Sequence, residues 1–301
     1  MTNWKLSLKA TAVGTFAGTV FGLAAFFYLA TSHQGMGSVL FLLVPVVAAF
    51  SAALIAPTNE RAVAGAMLAV IASLIVLVAT GKEGLLCAVL AFPIIALGVA
   101  IGFLLGGVVR RWLLDDESTK ATMGILLLIG PMLVFAGDRI ERPLFRHSRT
   151  EVIETSITLR SSPERTWDQI LTVDNVQASK PALMYIGLPI PERCTLQGKG
   201  VGAKRTCYFN SGYIEETIIG WGPPYYMGLR IDRTHMPGRH WLGFENAEYR
   251  INSRGNITTL KRTTTISSDL RPSWYWRIFE RLGVESEHRY ILQDVALKVS
   301  R

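Results

Sequence analysis

The stretch Ala10–Asn59 reads ATAVGTFAGTVFGLAAFFYLATSHQGMGSVLFLLVPVVAAFSAALIAPTN and contains no Lys, Arg, Asp or Glu. A membrane-spanning helix needs about 20 residues, so this stretch is too long for one span. The polar segment Thr31–Gly37 divides it into two apolar blocks, residues 10–30 and 38–56. Backbone amides in hydrocarbon must be hydrogen-bonded within the segment, which predicts that both blocks are helical.

Further uncharged blocks follow in the first half of the chain. They are residues 62–81, 84–109 and 121–137. We therefore predict an α-helical membrane bundle of about five spans in residues 1–138, followed by a basic linker at 139–149. The fifth block is short and carries Gly130 and Pro131 near its middle, so whether it crosses the membrane is left open.

The charge content agrees with a membrane anchor. Only 18% of the 301 residues are charged, whereas soluble globular proteins average about 25%. No predicted span contains an Asp, Glu, Lys or Arg, which argues against a pump or a proton-coupled transporter. We expect an integral, multi-pass protein of a plasma or inner membrane, whose bundle anchors the chain and contacts membrane lipid.

The orientation of the bundle is not decided by its basic residues. If the N-terminus is cytoplasmic and all five segments cross, six basic residues lie inside: Lys5, Lys9, Arg61, Arg110, Arg111 and Lys120. Five then lie outside: Lys82, Arg139, Arg142, Arg146 and Arg149. If the fifth segment does not cross, the arginine cluster after it moves inside. The side on which the C-terminal half lies is therefore left open.

Two predicted spans carry glycines at intervals of four residues, which place them on one face of a helix. These stripes are Gly14, Gly18 and Gly22 in the first span and Gly98, Gly102 and Gly106 in the fourth. Small residues on one face let helix backbones approach closely. The stripes are interpreted either as packing within the bundle or as the contact of a homo-oligomer.

The second half of the chain has the alternation of half-buried strands. Ser161 and Glu164 have capping-box spacing, and Pro163 suits the first turn of a helix over Glu164–Leu171. A proline-containing, loop-like stretch follows, and then about six antiparallel strands. The strand segments that the pattern identifies are 151–160 before this helix and 204–210, 213–221, 225–232, 244–251 and 257–268 after it.

The chain ends in a long predicted helix, Trp274–Val299, because apolar residues recur there at helical spacing. Those residues are Ile278, Leu282, Ile291, Leu292 and Val295. The resulting order is strand, helix, loop, antiparallel strands and one long helix. About 150 residues suffice for an independent core.

Several short motifs follow one another along this half of the chain. They are Ser162-Pro163-Glu164-Arg165-Thr166-Trp167, Gly200-Val201-Gly202-Ala203-Lys204-Arg205, Glu216-Thr217-Ile218 with Trp221-x-Pro223-Pro224, and Arg271-Pro272 before Tyr275-Trp276. Residues 150–300 thereby resemble the START-like superfamily, also called SRPBCC, which includes polyketide cyclase/dehydrase-like and Bet v 1-like proteins. The whole chain resembles a group in which such a domain follows several membrane helices.

The resemblance implies an α+β helix-grip domain over residues 150–301, in which a curved antiparallel sheet grips the C-terminal helix. It also implies a cavity between them for an apolar or amphipathic small molecule. Members of the superfamily include lipid carriers, hormone receptors, quinone chaperones and enzymes of the cyclase or hydrolase kind. The fold therefore indicates a class of ligand and no particular reaction.

Three residues are candidates for chemistry inside this domain. Strand alternation places Glu216 with Ile214 and Ile218, and Arg262 with Leu260. His288 lies near the apolar stripe of the last helix. One interpretation is a polar cluster that orients a ligand or supplies an acid–base group. The other is a structural Glu–Arg pair with a histidine at the core boundary.

The remaining candidate ligand contacts are apolar side chains and two loops at the predicted mouth. The side chains are Tyr185, Ile214, Ile218, Leu229, Trp241 and Ile278. The loops Leu183–Ile190 and Thr234–Trp241 carry large apolar groups, so they either gate ligand entry or simply cover the core.

We predict no cofactor, no metal site and no nucleic-acid partner. His235 and His240 have no acid or cysteine cluster beside them, and the basic residues do not form a stripe. Cys194 and Cys207 are expected to be free thiols. A bond between them would instead indicate an oxidising compartment.

Three functions are consistent with these features. The first is a membrane-anchored binding protein for a hydrophobic small molecule, such as a lipid, a quinone or an aromatic, polyketide-like metabolite. The second is a cyclase, dehydratase or hydrolase that uses Glu216, Arg262 or His288. The third is a structural or sensory membrane protein.

Overall fold

The computed structural model describes residues 2–32, 36–55, 59–113, 119–236 and 241–300. The chain divides into two compact units. The helical unit comprises Met1–Glu83, Cys87–His147 and Asp269–Pro272. The sheet unit comprises Gly84–Leu86, Ser148–Ser268 and Ser273–Arg301.

The helical unit contains long helices at the places where the sequence is uncharged. In the described part of the chain they are α1 (Thr2–Ser32), α2 (Val44–Ile55), α3 (Asn59–Ala79), α4 (Leu85–Leu113) and α5 (Thr119–Glu141). A π-helical segment, Val39–Leu43, leads directly into α2. At 1.5 Å per residue, α3 is about 31 Å long, close to the roughly 30 Å thickness of a bilayer core.

Among the described residues, two helices are long and apolar enough to cross a membrane. They contain the stretches Gly14–Thr31 in α1 and Leu85–Trp112 in α4. Of the about five predicted spans, this criterion of length and composition is met by two among the described residues. The apolar parts of the next helices, Val39–Leu54 and Val63–Ala79, are shorter. In α3 this is because the first turn holds the polar residues 59–61.

The glycine stripes pack against helices of the same chain. A Cβ on Gly98, Gly102 or Gly106 of α4 would lie within 3 Å of α2 atoms, and at Gly102 it would lie 2.2 Å from the carbonyl oxygen of Val46. Gly18 and Gly22 of α1 face α3 in the same way, whereas Gly14 has nothing within 4 Å. The faces predicted as a homo-oligomer contact are thus occupied within the chain from Gly18 onward.

These contacts also fix the direction of each helix. Gly98 meets Leu42 and Gly106 meets Phe50, so α4 runs parallel to α2. Successive α1 glycines meet successive α3 residues, so these two helices are parallel as well. In contrast, α5 runs against α2, because Gly130 meets Val47 and Gly137 meets Leu43. Tyr28 near the end of α1 contacts Asp138 near the end of α5, so consecutive helices alternate in direction.

A buried carboxylate at the end of α5 binds the start of the π-helical segment. Glu141 accepts hydrogen bonds from the main-chain nitrogens of Ser38, at 2.6 Å, and Val39, at 3.1 Å, which satisfies free donors at the start of a helix. Gly37 is required beside it, since a Cβ there would lie 1.9 Å from a carboxylate oxygen. The predicted linker at 139–149 is therefore mostly ordered structure. It contains the end of α5, a 3₁₀ turn and the first residue of a strand.

The sheet unit is one seven-stranded antiparallel sheet with three helices. Its elements are β1 (Arg149–Leu159), α6 (Pro163–Leu171), α7 (Ala182–Tyr185), β2 (Pro191–Gln197), β3 (Lys204–Phe209), β4 (Gly212–Gly222), β5 (Tyr226–His235), β6 (Leu242–Arg254), β7 (Ile257–Ser268) and α8 (Ser273–Val299). The spatial order is β1-β7-β6-β5-β4-β3-β2. The predicted helix-grip arrangement of an antiparallel sheet with a long C-terminal helix is confirmed.

Local details differ from the predictions at three places. The N-cap of α6 is Ser162, which accepts a hydrogen bond from the nitrogen of Arg165 at 3.3 Å, whereas Ser161 is buried. The segment predicted as a loop contains α7 and β2. β5 and β6 extend beyond the predicted bounds.

α8 packs on the sheet through a face that includes polar residues. Trp276, Val284 and Leu292 are buried, and so are Glu280 and His288 at the same spacing. The prediction that Ile278 and Leu282 form this face is wrong, because they are 56% and 45% exposed. The apolar pattern misplaced the face because Glu280 and His288 are buried through specific polar partners. The core beside α8 joins sheet and helix residues, including Ile218, Met227, Leu229, Leu292 and Val295.

Candidate functional site

The candidate site is a set of charged and polar side chains between the sheet and α8. We call it the interior ionic cluster and define it as Arg205, Glu216, Arg262, Glu287 and His288. Alternation along β3, β4 and β7 brings the first three to this face of the sheet. α8 contributes the other two, and they contact β7.

Arg205 and Glu216 form a buried ion pair. They stand opposite each other in the register of β3 and β4, and Arg205 Nη1 donates to Glu216 Oε2 at 2.7 Å. Their residues are only 3% and 6% exposed. Arg205 also donates to the main-chain oxygens of Ile170 and Leu171, both at 3.4 Å. Pairing and these extra hydrogen bonds offset the loss of hydration that burial imposes on both charges.

Arg262 holds the centre of the cluster. Its guanidinium donates to Glu287 at 3.0 Å and lies 5.4 Å from the centre of the Tyr249 ring. Burial lowers the pKa of Arg262, but the nearby Glu287, Tyr249 and Glu216 outweigh it, so the pKa is raised and the guanidinium remains charged. The buried Nε has no hydrogen-bond partner among the described residues.

His288 is fully buried, and both of its ring nitrogens contact threonines. Nε2 lies 2.7 Å from Thr264 Oγ1, and Nδ1 lies 3.2 Å from Thr155 Oγ1. Burial, together with the charge of Arg262, lowers the pKa of His288 to about 2. The imidazole is therefore neutral at physiological pH, with one nitrogen as a donor and the other as an acceptor.

A second ionic group lies toward the start of α8. Glu280 accepts from Ser268 Oγ at 2.5 Å and from Arg149. Arg149 also pairs with Glu151 at 2.7 Å. These contacts join β1, β7 and α8, so this group fastens the helix to the sheet at one end.

Cys194 and Cys207 form a disulfide, which corrects the expectation of free thiols. The two residues face each other in the register of β2 and β3. The Cys207 sulfur lies 3.7 Å from Glu216 Oε2. The disulfide therefore borders the interior ionic cluster at the edge of the sheet. The expectation failed because β2 was not recognised, so nothing placed the two cysteines opposite each other.

The other predicted ligand contacts lie in different environments. Ile214, Ile218, Leu229 and Trp241 are buried. Tyr185 is 75% exposed, and Ile278 points away from the sheet, as described above. Among these side chains, the structure therefore brings only the buried set to the interior.

The structure describes all of the first loop predicted at the mouth and only part of the second. In Leu183–Ile190, Met184 and Leu188 are buried, whereas Tyr185 and Ile186 are exposed. In Thr234–Trp241, residues 237–240 lie outside the described residues, so the prediction concerning His240 does too. His235 stacks on Tyr213 with ring centres 4.4 Å apart. Among the described residues, no group of three His, Cys, Asp or Glu side chains is arranged to hold a metal.

A hollow of about 450 Å³ lies beside the C-terminal part of α8. It is lined by Ala178, Ser179, Gln293, Ala296, Leu297 and Ser300. None of these residues belongs to the interior ionic cluster. The buried side chains that connect the sheet to α8 are in contact with one another, so a ligand beside Arg262 would have to displace some of them.

Arg205, Glu287, Tyr249 and Thr264 are site residues that the sequence did not identify. For Arg205 a partial signal existed. The predicted Ser211-Gly212 turn would pair residue 205 with residue 218, two positions from Glu216 on the same face of the strand. In the structure Phe209 faces Gly212, so Arg205 faces Glu216. For Glu287 no comparable signal exists, since its role depends on how α8 is rotated on the sheet.

The chain matches no protein-family model and no curated protein. Solved structures resemble the fold of its C-terminal part. The Aha1 dimer from Colwellia psychrerythraea is 13% identical, with a TM-score of 0.33 over 49% of this chain and 98% of that one. Norcoclaurine synthase from Thalictrum flavum is 15% identical, with a TM-score of 0.35 over 52% and 89%. Ara h 8.0201 is 13% identical, with a TM-score of 0.35 over 51% and 100%.

Proposed function

We propose that the sheet unit binds a hydrophobic or amphipathic small molecule between the sheet and α8, and that the helical unit anchors it in a membrane. A lipid, a quinone or an aromatic, polyketide-like metabolite has the required chemistry. The observation that carries the proposal is the interior ionic cluster, which lies within an otherwise apolar core.

Burying this many charges does not favour stability in itself. Replacing a buried ion pair by apolar residues of similar volume is often neutral or stabilising, by about 1–4 kcal/mol. Buried ionisable groups with shifted pKa values are also concentrated at functional sites. The buried Arg205–Glu216 pair and the adjacent, partly exposed Arg262–Glu287 pair, in which the pKa of Arg262 is raised, therefore support a binding role beyond simple packing.

The cluster supplies a polar anchor for one end of a ligand. The unpartnered Nε of Arg262 is a hydrogen-bond donor. It would donate a hydrogen bond to a carbonyl, hydroxyl or carboxylate oxygen of the ligand. The neighbouring Ile218, Leu229 and Met227 would contact the apolar part of the ligand. A ligand thus gains a hydrogen bond at one end and apolar contact along its body.

The contacts favour binding over acid–base catalysis. A general acid or base works best with a pKa near the operating pH, whereas the pKa of His288 is about 2. Glu216 already accepts from Arg205, and Arg262 is held in its charged form. We therefore assign these groups to holding and orienting a ligand.

The outer surface of the helical unit supports membrane embedding. Large apolar side chains face outward along α1, α3, α4 and α5, among them Phe16, Ile75, Leu104, Trp112 and Met132. Small residues such as Gly18, Gly98 and Gly102 lie at the closest contacts between the helices, as in membrane bundles. An apolar surface of this kind needs a lipid or protein cover. We propose that all five helices cross the bilayer, with α2 and α3 as short spans.

Native mass spectrometry of the detergent-purified full chain tests the binding role. We expect a bound small molecule on the wild type and on Arg250→Gln, whose side chain is 54% exposed on the sheet. Arg262→Gln should retain at least tenfold less. Lipids held by the helical unit would remain on all three proteins, so they are distinguished from the ligand. Equal retention by Arg262→Gln and Arg250→Gln would contradict the proposal.

A further inference from the structure

The disulfide and the helix directions together indicate the orientation of the chain. We propose that the sheet unit faces an oxidising compartment outside the cytoplasm, and that the N-terminus of α1 faces the cytoplasm. This inference rests on the membrane embedding proposed above. It implies that a ligand reaches the sheet unit from the extracytoplasmic side.

The disulfide is the first observation. Cys194 and Cys207 are both buried and are paired in the antiparallel register. β2 is the last strand of the sheet, where it pairs with β3 and, through an isolated bridge at Cys194, with Val173. The bond therefore ties an edge strand to the rest of the domain. Stable disulfides of this structural kind form and persist in oxidising compartments and are rare in the cytosol.

The alternating helices are the second observation. α1, α3 and α5 share one direction, and α2 and α4 have the other. Five crossings therefore put the start of α1 and the end of α5 on opposite sides of a bilayer. After Glu141 only the 3₁₀ turn Arg142–Phe145 and residues 146–148 precede β1. That segment is far too short for another crossing, which needs about 20 residues.

The basic residues agree with this orientation without deciding it. The cytoplasmic ends would carry six Lys/Arg, and the opposite side would carry five. Two of those five are held by carboxylates, because Arg142 pairs with Asp138 and Arg149 pairs with Glu151 and Glu280. The disulfide therefore decides between two orientations that charge alone leaves nearly equal.

Formation of the bond requires an oxidant on the side of the sheet unit. In a thiol–disulfide exchange, the Cys194 and Cys207 thiols lose two protons and two electrons and become one disulfide. The disulfide of a thiol oxidoreductase accepts them and becomes two thiols. The required partner is therefore a protein of that chemical class in the same compartment.

The first test counts disulfide-bonded cysteines in the full chain expressed in a bacterial inner membrane. Denatured membranes are blocked with N-ethylmaleimide, reduced, and then treated with a polyethylene-glycol maleimide. We expect two adducts on the wild type and none on Cys207→Ser, because loss of one partner leaves the other thiol to be blocked. No adducts on the wild type would overturn the proposal.

The second test locates each side in intact spheroplasts with a membrane-impermeant maleimide. In a Cys87→Ser background, one reporter is Tyr185→Cys in the sheet unit, where the side chain is 75% exposed. The other is Arg111→Cys near the end of α4, which is also exposed. We expect at least tenfold greater labelling of Tyr185→Cys, and equal labelling after permeabilisation. Equal or reversed labelling before permeabilisation would overturn the orientation.

Alkaline carbonate extraction is scored separately, since it reports on membrane embedding alone. Release of the full chain into the soluble fraction would refute the proposed anchoring, and with it any orientation. Retention in the membrane with reversed labelling would refute the orientation and leave the anchoring intact. The two failures are therefore distinguishable.

Discussion

The helical unit leaves many of its large apolar side chains exposed, whereas the sheet unit buries most of its own. In the helical unit, Gly102 lets two backbones touch, while Leu104 two residues later is 72% exposed. In the sheet unit, Leu229 and Ile218 are buried almost completely. Removal of apolar surface from water stabilises the sheet unit. The helical unit depends on close contact between small residues, which suits a surrounding of lipid.

The two units also use buried charge differently. In the helical unit the buried carboxylates Asp138 and Glu141 lie near the end of α5, where they bind a tyrosine, an arginine and the start of a helix. In the sheet unit, Arg205 pairs with Glu216 and also donates to the last carbonyls of α6, whereas Arg262 pairs with Glu287 in the middle of α8. Buried charge in the helical unit is explained by helix ends, and Arg205 has the same role in part, whereas the Arg262–Glu287 pair satisfies no helix end and is the part of the cluster that the proposed ligand site uses.

The largest expected effect comes from filling the gap between α4 and α2. Gly102→Leu should prevent a monodisperse, folded protein in detergent, because even a Cβ would lie 2.2 Å from a backbone oxygen. Gly107→Leu on the same helix is the control, since nothing lies within 4 Å of its Cβ position. Size-exclusion profiles and thermal unfolding measure both. A normal elution profile for Gly102→Leu would contradict the close packing of α4 against α2, and with it the difference drawn between the two units.

Removing one partner of the buried pair should have the next largest effect. Arg205→Met leaves the Glu216 carboxylate buried without its counter-charge, which should lower the free energy of unfolding by about 3–5 kcal/mol. Adding Glu216→Gln should restore part of the loss. Arg250→Met, on an exposed arginine, should change it by less than about 0.5 kcal/mol. Denaturant unfolding followed by tryptophan fluorescence distinguishes the three. Equal losses for Arg205→Met and Arg250→Met would contradict the account.

Truncation of apolar residues tests which side chains of the sheet unit belong to its core. Leu229→Ala should destabilise the protein by about 2–5 kcal/mol, because it leaves a cavity in the core. Ile278→Ala should have little effect, since that side chain is 56% exposed on α8. The melting temperatures of the two variants provide the comparison. A larger loss for Ile278→Ala would show that α8 is rotated relative to the sheet.

The ionisation of His288 has the smallest expected effect at neutral pH, because it acts only through the pH dependence of stability. The pKa of His288 is about 2 in the folded protein, below its ordinary value of 6.5. Between these values the unfolded chain binds the extra proton, so stability falls as pH falls from about 6.5 toward 2, by up to about 1.4 kcal/mol per pH unit. His288→Asn should flatten the curve of melting temperature against pH between 6 and 3. An unchanged slope would refute the buried, neutral imidazole.

Sequence alternation was sufficient where strands are joined by tight turns. β7 has the predicted bounds, and the hairpin of β3 and β4 forms where it was predicted, although its turn lies one residue earlier, so that residues 205 and 216 pair. It was insufficient for β2, whose Pro191 and charged residues lack an alternating apolar pattern. Strand β2 forms because β3 and the Val173 bridge pair with it. Those are tertiary contacts, which a local pattern does not contain.

The rotation of α8 about its axis was the second feature that the sequence did not predict. The pattern predicted α8 almost to the residue, yet it placed Ile278 on the buried face and could not identify Glu287 as the partner of Arg262. Helical periodicity assumes that buried residues are apolar. That assumption fails wherever a charged side chain such as Glu280 is buried with its own partner.

An experimental density map of the full chain, purified with whatever it retains, tests the central claim most directly. The account predicts density for a small molecule between the sheet and α8, with an oxygen within hydrogen-bond distance of Arg262 Nε. A map in which apolar side chains fill that space completely, and in which extra density surrounds the helical unit alone, would contradict it.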